Sequence, residues 1–288
     1  MLWLFFALLS ALSLSTADAL SKKALSRTDD IVIAWVREGY AVPFLALGFL
    51  FIDIPELDRT FWIAVAALLP LEITALILYV KAIRLSPLSL SVPFMALSPV
   101  FIIFIAFLIL GEWPGRTGLA GIALIAAGAY LLNASASRNG VLGPIKEITK
   151  EPGSMLMIAV AFIYSITSTL GKVAVTHSSP VFFGFFYPFI LTIILTVIVW
   201  SKGRLRLVAS RPAVFIPIGL CASVMVMSHF IGISLTQVVY LISVKRTSLL
   251  FSVLYGALVF KELNIKERLL GSLFMVAGVA VIAVGEAF

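Results

Sequence analysis

Ten apolar stretches, most of them as long as a helix that crosses a lipid bilayer, dominate this sequence. A spanning helix needs about 20 predominantly apolar residues. The stretches cover approximately residues 2–20, 31–51, 61–80, 87–110, 117–133, 155–174, 180–200, 212–230, 234–260 and 267–285. None of them shows the two-residue alternation of a membrane β-strand. Because a helix satisfies its own backbone polar groups in lipid, the sequence predicts an all-α membrane protein with ten transmembrane helices.

The composition argues against a soluble enzyme and against a nucleic-acid-binding domain. Hydrophobic residues make up 61% of the chain, charged residues 12%, and the mean hydropathy is +1.14, whereas soluble domains are about 45–50% apolar. The net charge of +7 lies mainly in short loops, as membrane orientation signals do, so we expect a lipid bilayer and no nucleic acid as partner. With two histidines, one cysteine and no phosphate-binding glycine loop, we expect no metal site, no cofactor, no ATP-driven step and no enzymatic activity.

The two halves of the chain repeat each other at a constant offset of 150 residues. Charged residues and spaced glycines match in this register: Lys22 with Lys172, Glu112 with Glu262, Gly121 with Gly271 and Gly128 with Gly278. The glycines predict close helix packing, and the two glutamates predict a shared role in a tight turn. We assign residues 1–133 to a first repeat, 134–154 to a linker and 155–288 to a second repeat. The first apolar stretch matches a clear spanning segment, so we expect it to be a helix of the mature protein.

Each repeat contains five apolar stretches, and an odd number places the second repeat upside down relative to the first. Two inverted five-helix repeats are a common construction of secondary transporters, whose substrate site lies near the midplane between the halves. A duplicated chain can also serve as a membrane scaffold or an accessory subunit, and that alternative stays open here.

Ionisable residues stand in the middle of two apolar stretches. Lys245 and Arg246 are adjacent in the ninth stretch, and Glu72 lies in the third. A charge at the centre of a membrane helix costs about 2.5–3.5 kcal/mol on insertion scales, so these side chains should face a wet cavity or a partner. On a continuous ninth helix Lys245 shares one face with several polar residues. We therefore predict a substrate site formed by Lys245, Arg246, Gln237, Tyr240, Ser248 and Ser252.

Glu72 has three possible roles beside this site. It can neutralise Lys245 or Arg246, carry a proton for coupled transport, or bind an amine of the substrate; the first role is favoured. Arg37 joins Glu72 as a charge-balancing or proton-coupling residue that lines the vestibule, unless it snorkels to the interface.

Three charged residues near helix ends have simpler interpretations. For Lys22 and Lys172 we expect snorkelling. Asp18 is placed to pair with Lys22 four residues later on the same helix.

Two parts of the chain carry a family resemblance. The first reads AIRLSP at 82–87, LSPVF at 97–101 and LGE at 110–112, and the second reads GISLT at 232–236, KRTS at 245–248 and FKE at 260–262. Both resemble the EamA-type repeats of the drug/metabolite transporter superfamily, over essentially the whole chain. The resemblance implies ten helices around a central cavity, alternating access, no prosthetic group, and a lateral position for helices five and ten.

The resemblance does not name a substrate, because members carry amino acids, nucleotide sugars, sugar phosphates and other metabolites. Plastid sugar-phosphate translocators, which are distant relatives, hold phosphate with an adjacent Lys-Arg pair on the ninth helix, where Lys245 and Arg246 fall. We therefore expect a secondary transporter of small polar metabolites with an anionic substrate favoured, together with a proton or a counter-solute. The alternative within transport is an exporter of amino acids or amphiphilic compounds, with Glu72 meeting an amine.

The distribution of basic residues predicts the orientation in the cell membrane. The even-numbered loops carry only Arg59, Arg116 and Lys172, whereas the odd-numbered loops carry the remaining loop cations. The positive-inside rule then places the odd loops in the cytoplasm and both termini outside. Many proteins that this sequence resembles keep both termini in the cytoplasm.

Overall fold

Helices account for nearly all of the described residues. The computed structural model describes residues 2–49, 51–86, 91–134, 152–259 and 265–285. In chain order the α-helices are α1 (Leu2–Leu25), α2 (Asp30–Gly39), α3 (Val42–Phe49), α4 (Arg59–Leu85), α5 (Ser98–Leu110), α6 (Arg116–Ala134), α7 (Pro152–Thr176), α8 (Pro180–Ser201), α9 (Pro212–Ser234), α10 (Val238–Lys245), α11 (Ser248–Leu258) and α12 (Ile265–Gly285). Two 3₁₀-helices, η1 (Val92–Leu97) and η2 (Leu205–Ala209), complete the set. Most of the expected linker and Glu262 lie outside the described residues.

Seven helical segments in the described part of the chain are long and apolar enough to cross a membrane. They are α1, α2 with α3, α4, α7, α8, α9, and α10 with α11. Three shorter apolar helices accompany them, namely α5, the segment Arg116–Gly128 of α6 and the segment Leu273–Gly285 of α12. The expectation of an all-helical, multi-pass membrane protein is therefore confirmed. The count of ten spans and the inversion of one repeat stay predictions.

Helix starts follow from side-chain caps. The Asp29 carboxylate accepts the backbone N–H of Ile31 at 3.1 Å, and Asp58 accepts that of Phe61 at 2.8 Å, at the beginnings of α2 and α4. Capping side chains satisfy N–H groups that the first helical turn leaves without partners. They define where two short loops end and two membrane helices begin.

The helices pack in pairs that the repeat relates. Helix α1 lies along α9, and its counterpart α7 lies along α4, the counterpart of α9. Helices α6 and α12 pack closely, because a Cβ atom on Gly121 would lie 2.7 Å from the carbonyl oxygen of Gly278, and one on Gly128 would lie 2.6 Å from that of Gly271. The close packing predicted from these glycines is confirmed.

The ninth apolar stretch is not one continuous α-helix. Arg246 N–H donates to the Ser243 carbonyl and Thr247 N–H to the Val244 carbonyl, both at i→i−3 spacing and 3.1 and 2.9 Å. The first repeat has the corresponding feature, because η1 leads directly into α5. A 3₁₀ turn has 3.0 residues instead of the 3.6 of an α-helix, so residues after it are rotated away from the face expected for a continuous helix.

Candidate functional site

A cavity of about 110 Å³ lies between the two repeats. Helices α1, α2, α4 and η1 contribute one part of its wall, and helices α7 to α10 contribute the other. The polar lining residues are Arg37, Glu38, Glu72, Tyr79, Tyr164, Thr167, Ser168, Tyr187, His229, Lys245 and Arg246. The remaining wall is apolar and comprises Leu14, Leu68, Leu76, Met95, Gly171, Ala222, Met225, Val226, Phe230 and Ile242. Four of the predicted site residues, Lys245, Arg246, Glu72 and Arg37, are thus brought together.

Lys245 and Arg246 face this cavity without a carboxylate beside them. The Lys245 ammonium lies 3.3 Å from Met225 Sδ and 3.4 Å from His229 Nδ1, and Arg246 Nε donates to Ser98 Oγ at 2.8 Å. Within the described ranges, no acidic oxygen lies within 4.0 Å of either cation. Because a buried charge without a counter-charge is unfavourable, these two groups are suited to receive a negatively charged ligand.

Glu72 lies on another part of the wall. Its carboxylate interacts with the hydroxyl groups of Thr167 on α7 and Tyr187 on α8. It also interacts electrostatically with Lys245, which is too far away for a contact ion pair. It therefore makes no contact ion pair with either cation of the ninth stretch, as far as the described residues show. Glu38 lines the same space and interacts electrostatically with Glu72.

Arg37 belongs to a buried network that the sequence did not reveal. Its Nη1 donates to Asp18 Oδ1 at 2.7 Å, and the Tyr79 hydroxyl donates to Asp18 Oδ2 at 2.6 Å. The guanidinium carbon also lies 5.4 Å from the centre of the Tyr79 ring, a cation–π distance. The expected pairing of Asp18 with Lys22 and the snorkelling of Arg37 are therefore wrong. The sequence signal for this network was Asp18, an acid inside an apolar stretch. Its partner Arg37 lies on the next helix.

The predicted serines of the ninth stretch pack helices together instead of lining the cavity. Ser252 shares a hydrogen bond of 3.1 Å with Ser15 of α1. Ser248, which is buried, also lies outside the cavity wall. Both residues follow the 3₁₀ turn, which rotates them away from Lys245. This corrects their assignment to a common face with that lysine.

Tyr240 and Gln237 are likewise not lining residues. The Tyr240 hydroxyl accepts the backbone N–H of Gly115 at 2.9 Å and contacts Gly118, where a side chain would collide with the ring. Gln237 precedes α10 and its Nε2 lies 3.5 Å from the Trp113 carbonyl oxygen. These contacts connect the start of α10 to the segment that precedes α6 and to α6 itself, so the structure assigns both residues to packing.

Lys172 and Lys22 bind inside the protein. Lys172 Nζ contacts the Glu112 carboxylate and donates to the Thr236 carbonyl at 2.7 Å. Lys22 Nζ donates to the carbonyl of Ser86 at 2.9 Å, and Ser86 is the repeat counterpart of Thr236. Snorkelling is therefore the wrong interpretation for both lysines.

Glu112 has a defined role in the turn between helices. Its second carboxylate oxygen accepts the backbone N–H of Val238 at 3.0 Å, at the first residue of α10. The carboxylate thus joins Lys172 to the start of the helix that carries Lys245. The predicted structural role of Glu112 is confirmed, while its counterpart Glu262 lies outside the described residues.

The described residues were also compared with the arrangements that bind metal ions in proteins. Searched over those residues, the structure contains no group of three or more such side chains that could hold a metal ion. The cavity wall itself presents cations, carboxylates, hydroxyl groups and the His229 imidazole.

Comparisons with known proteins extend these observations. The model of the EamA-like transporter family matches the sequence twice, over residues 1–134 and 151–284. One crystal structure superposes on 98% of this chain and 96% of its own, with a TM-score of 0.67 and 16% sequence identity. At that identity the likeness shows a shared fold alone. The search of curated proteins gave no significant match.

Proposed function

This chain belongs to the EamA-like transporter family, and from that premise we propose that it is a secondary transporter of small polar metabolites in the cell membrane, with an anionic substrate favoured. The observation that carries the anionic preference is the position of Lys245 and Arg246 on the cavity wall without a neighbouring carboxylate. A bound anion would supply the counter-charge that the described protein groups do not supply.

The two cations offer complementary chemistry to such a ligand. Arg246 Nε donates a hydrogen bond to the Ser98 hydroxyl, and no described residue forms a hydrogen bond with the terminal nitrogens of the guanidinium. A guanidinium with free terminal N–H groups suits carboxylate and phosphate oxygens, whereas the Lys245 ammonium acts as a compact point charge. His229 and Met225 hold the ammonium at the cavity wall.

The size of the cavity limits what it can enclose in this conformation. Pockets for drug-sized ligands measure about 300–1,000 Å³, whereas this cavity has about 110 Å³. We infer that the cavity in this conformation has room for a small solute and must widen for a larger one. Alternating access by rocking of the repeats is supported by the repeat-related pairs α1–α9 and α4–α7, which both border the cavity.

A specific observation also favours a second candidate function. Glu38 and Glu72 line the same cavity as the two cations, next to an apolar surface that includes Phe230. An amino acid has an amine, a carboxylate and a side chain that match these three wall regions. Export of amino acids or amphiphilic compounds is therefore the alternative, with Glu72 meeting the amine.

A ligand-stabilisation screen followed by flux measurements tests the proposal. Purified protein is heated with sulfate, phosphate, glycerol phosphate, short dicarboxylates or zwitterionic amino acids, and uptake of radiolabelled organic phosphates is measured in proteoliposomes. We expect small anions to raise the melting temperature of the wild type and of Lys23→Met, an exposed-lysine control, but not of Lys245→Met. Stabilisation by amino acids alone would favour the second candidate. Flux no greater than in protein-free liposomes, for the wild type and for Lys245→Met and Glu72→Gln alike, would favour a scaffold or accessory subunit.

The proposed orientation has both termini outside the cell. It is tested in a Cys221→Ser background with one cysteine introduced in the first loop (Ser26→Cys) or in the second (Asp53→Cys). A membrane-impermeant thiol reagent added to intact cells should label the second-loop cysteine and not the first-loop cysteine. The reverse pattern would show that both termini are in the cytoplasm.

A further inference from the structure

Two carboxylates on the cavity wall have no charged partner in contact. Glu38 on α2 and Glu72 on α4 both line the cavity, and they are close enough to repel each other electrostatically. No described cation lies within 4.0 Å of either carboxylate. Glu38 is 9% exposed, and its carboxylate forms no hydrogen bond with a described residue. A buried acid and a half-buried acid that share one space favour a state in which one of them holds a proton.

The charges around the cavity divide between the two repeats. Arg37 forms an ion pair with Asp18, and its charge also acts on the adjacent Glu38. Lys245 acts on Glu72 across the cavity, and Arg246 lines the same cavity. At the offset of 150, Glu38 corresponds to Pro188, Glu72 to Ala222 and Lys245 to Met95. The acids therefore come only from the first repeat and the unpaired cations only from the second. A rocking motion of one repeat against the other changes the distance between them.

Binding of an anion to the cations changes this balance. Once the substrate occupies Lys245 and Arg246, Glu72 loses the compensating charge of Lys245, and the site carries an excess negative charge. Uptake of a proton by the acid pair restores neutrality, which is less costly than a net charge in a low-dielectric space. The proton comes from water on one side of the membrane, binds a carboxylate oxygen and leaves to water on the other side.

We propose that Glu38 and Glu72 form a proton-binding site whose occupancy is linked to anion binding at Lys245 and Arg246, so that anion and proton cross the membrane together. The coupling rests on the function proposed above. By linkage, protonation of the pair strengthens anion binding, and anion binding strengthens protonation by the same factor. Titratable and charged groups around the pair are Asp18, Arg37, Tyr79, Tyr164, Tyr187, His229, Lys245 and Arg246.

These neighbours do not replace the pair as the proton site. Asp18 is engaged by Arg37 and by the Tyr79 hydroxyl, and His229 lies beside the Lys245 ammonium, which opposes a second positive charge there. Tyr187 contacts Glu72 as a hydroxyl neighbour. The acids are thus the groups on this wall that can gain a proton without placing like charges together.

Infrared difference spectroscopy tests the proton site without any substrate. Spectra of the purified protein are compared between about pH 8 and about pH 5, the range in which such a site must titrate to be useful. We expect a carboxylic-acid C=O band that shifts in D₂O, is lost in Glu38→Gln and in Glu72→Gln, and persists in Glu56→Gln, an exposed-loop control. Retention of the band in either cavity variant would overturn the shared site. Size-exclusion profiles check folding, and Glu72→Asp should keep the band if the carboxylate itself is what matters.

Proton uptake measured with sulfate tests the linkage. Sulfate does not titrate in this range, so a pH-sensitive dye in weakly buffered solution reports protons taken up by the protein. We expect sulfate to raise the melting temperature of the wild type with uptake of about one proton per bound anion by charge balance, and both to be absent in Lys245→Met. Stabilisation by sulfate without proton uptake would overturn the linkage. If the wild type shows the infrared band but no effect of sulfate, the result would count against the anion site instead. The two experiments therefore distinguish failure of the proton site from failure of the proposed function.

Discussion

Arg37 donates a hydrogen bond of 2.7 Å to Asp18, and the two side chains are only 5% and 2% exposed. The pair ties α2 to α1, and the Tyr79 hydroxyl ties α4 to the same carboxylate. Asp18→Asn should lower the free energy of unfolding by about 3–5 kcal/mol, because it leaves a buried guanidinium without its counter-charge. Reversible unfolding in mixed micelles measures this quantity. The double variant Asp18→Asn/Arg37→Met should recover part of the loss, and simple additivity would contradict a coupled pair.

Glu112 and Lys172 form a second ion pair, with side chains 16% and 12% exposed. Lys172→Met should destabilise the protein toward the lower end of the about 3–5 kcal/mol expected for breaking a buried pair, because some solvent still screens the charges. The loss should also loosen the start of α10, where Glu112 accepts the Val238 N–H. Lys23→Met provides the matched exposed control, and equal melting temperatures for the two variants would contradict the prediction.

The separation of lining and packing residues in the ninth stretch predicts different phenotypes. Tyr240→Phe removes a hydrogen bond to Gly115 and should cost about 1 kcal/mol of stability. Ser252→Ala should act similarly through Ser15. Both variants should keep substrate flux in proteoliposomes once protein amounts are matched, whereas Lys245→Met should abolish it. If Ser252→Ala lost substrate flux while keeping normal stability, the result would indicate that this serine belongs to the substrate site.

The α6–α12 contact should not tolerate a methyl group. Gly121→Ala places a Cβ 2.7 Å from the Gly278 carbonyl oxygen, so the two backbones must separate, at about 1–3 kcal/mol. Gly48→Ala is the control, because its Cβ would meet Val181 Cγ1 at 3.6 Å and Met227 Cε at 3.9 Å, both ordinary contacts. Thermal unfolding should give a lower melting temperature for Gly121→Ala than for Gly48→Ala. Equal melting temperatures would argue against a tight helix pair.

Asp58, at the start of α4, should make stability dependent on pH. The backbone N–H of Phe61 and the side chain of His177 hold the pKa of Asp58 below its ordinary value of 3.8. A lowered folded-state pKa contributes stability above the unfolded-state pKa, and this contribution disappears as the pH falls through the folded-state value. Asp58→Asn, which keeps an acceptor for Phe61, should therefore show a small drop in melting temperature at neutral pH that shrinks as the pH falls below 3.8 and vanishes below the lowered folded-state pKa of Asp58. A drop of equal size at both pH values would show that the charge is not responsible.

The sequence alone predicted the class of this fold well. Long apolar stretches predict membrane helices because lipid leaves the backbone no other partner. The 150-residue repeat was visible because Lys22 and Lys172, and also the spaced glycines, make equivalent contacts in both halves. Such signals are local or periodic and can therefore be recognised in the sequence alone.

The candidate site was predictable only in part. Lys245, Arg246, Glu72 and Arg37 were identified because a charge in an apolar stretch is costly wherever it points, and they do meet at one cavity. Ser252 was misassigned because a short 3₁₀ turn at Arg246 and Thr247 rotates the helix face, and the sequence carries no clear mark of that turn.

The sequence by itself therefore determined three things: that the chain forms helices in lipid, that it consists of two related halves, and that a few of its charges cannot face the bilayer. Tertiary structure alone decided the partners of those charges, joining Arg37 to Asp18 and leaving Lys245 beside His229. The physical reason is that burial is a property of single residues, whereas a counter-charge within a few ångströms depends on how separate helices pack and rotate against one another.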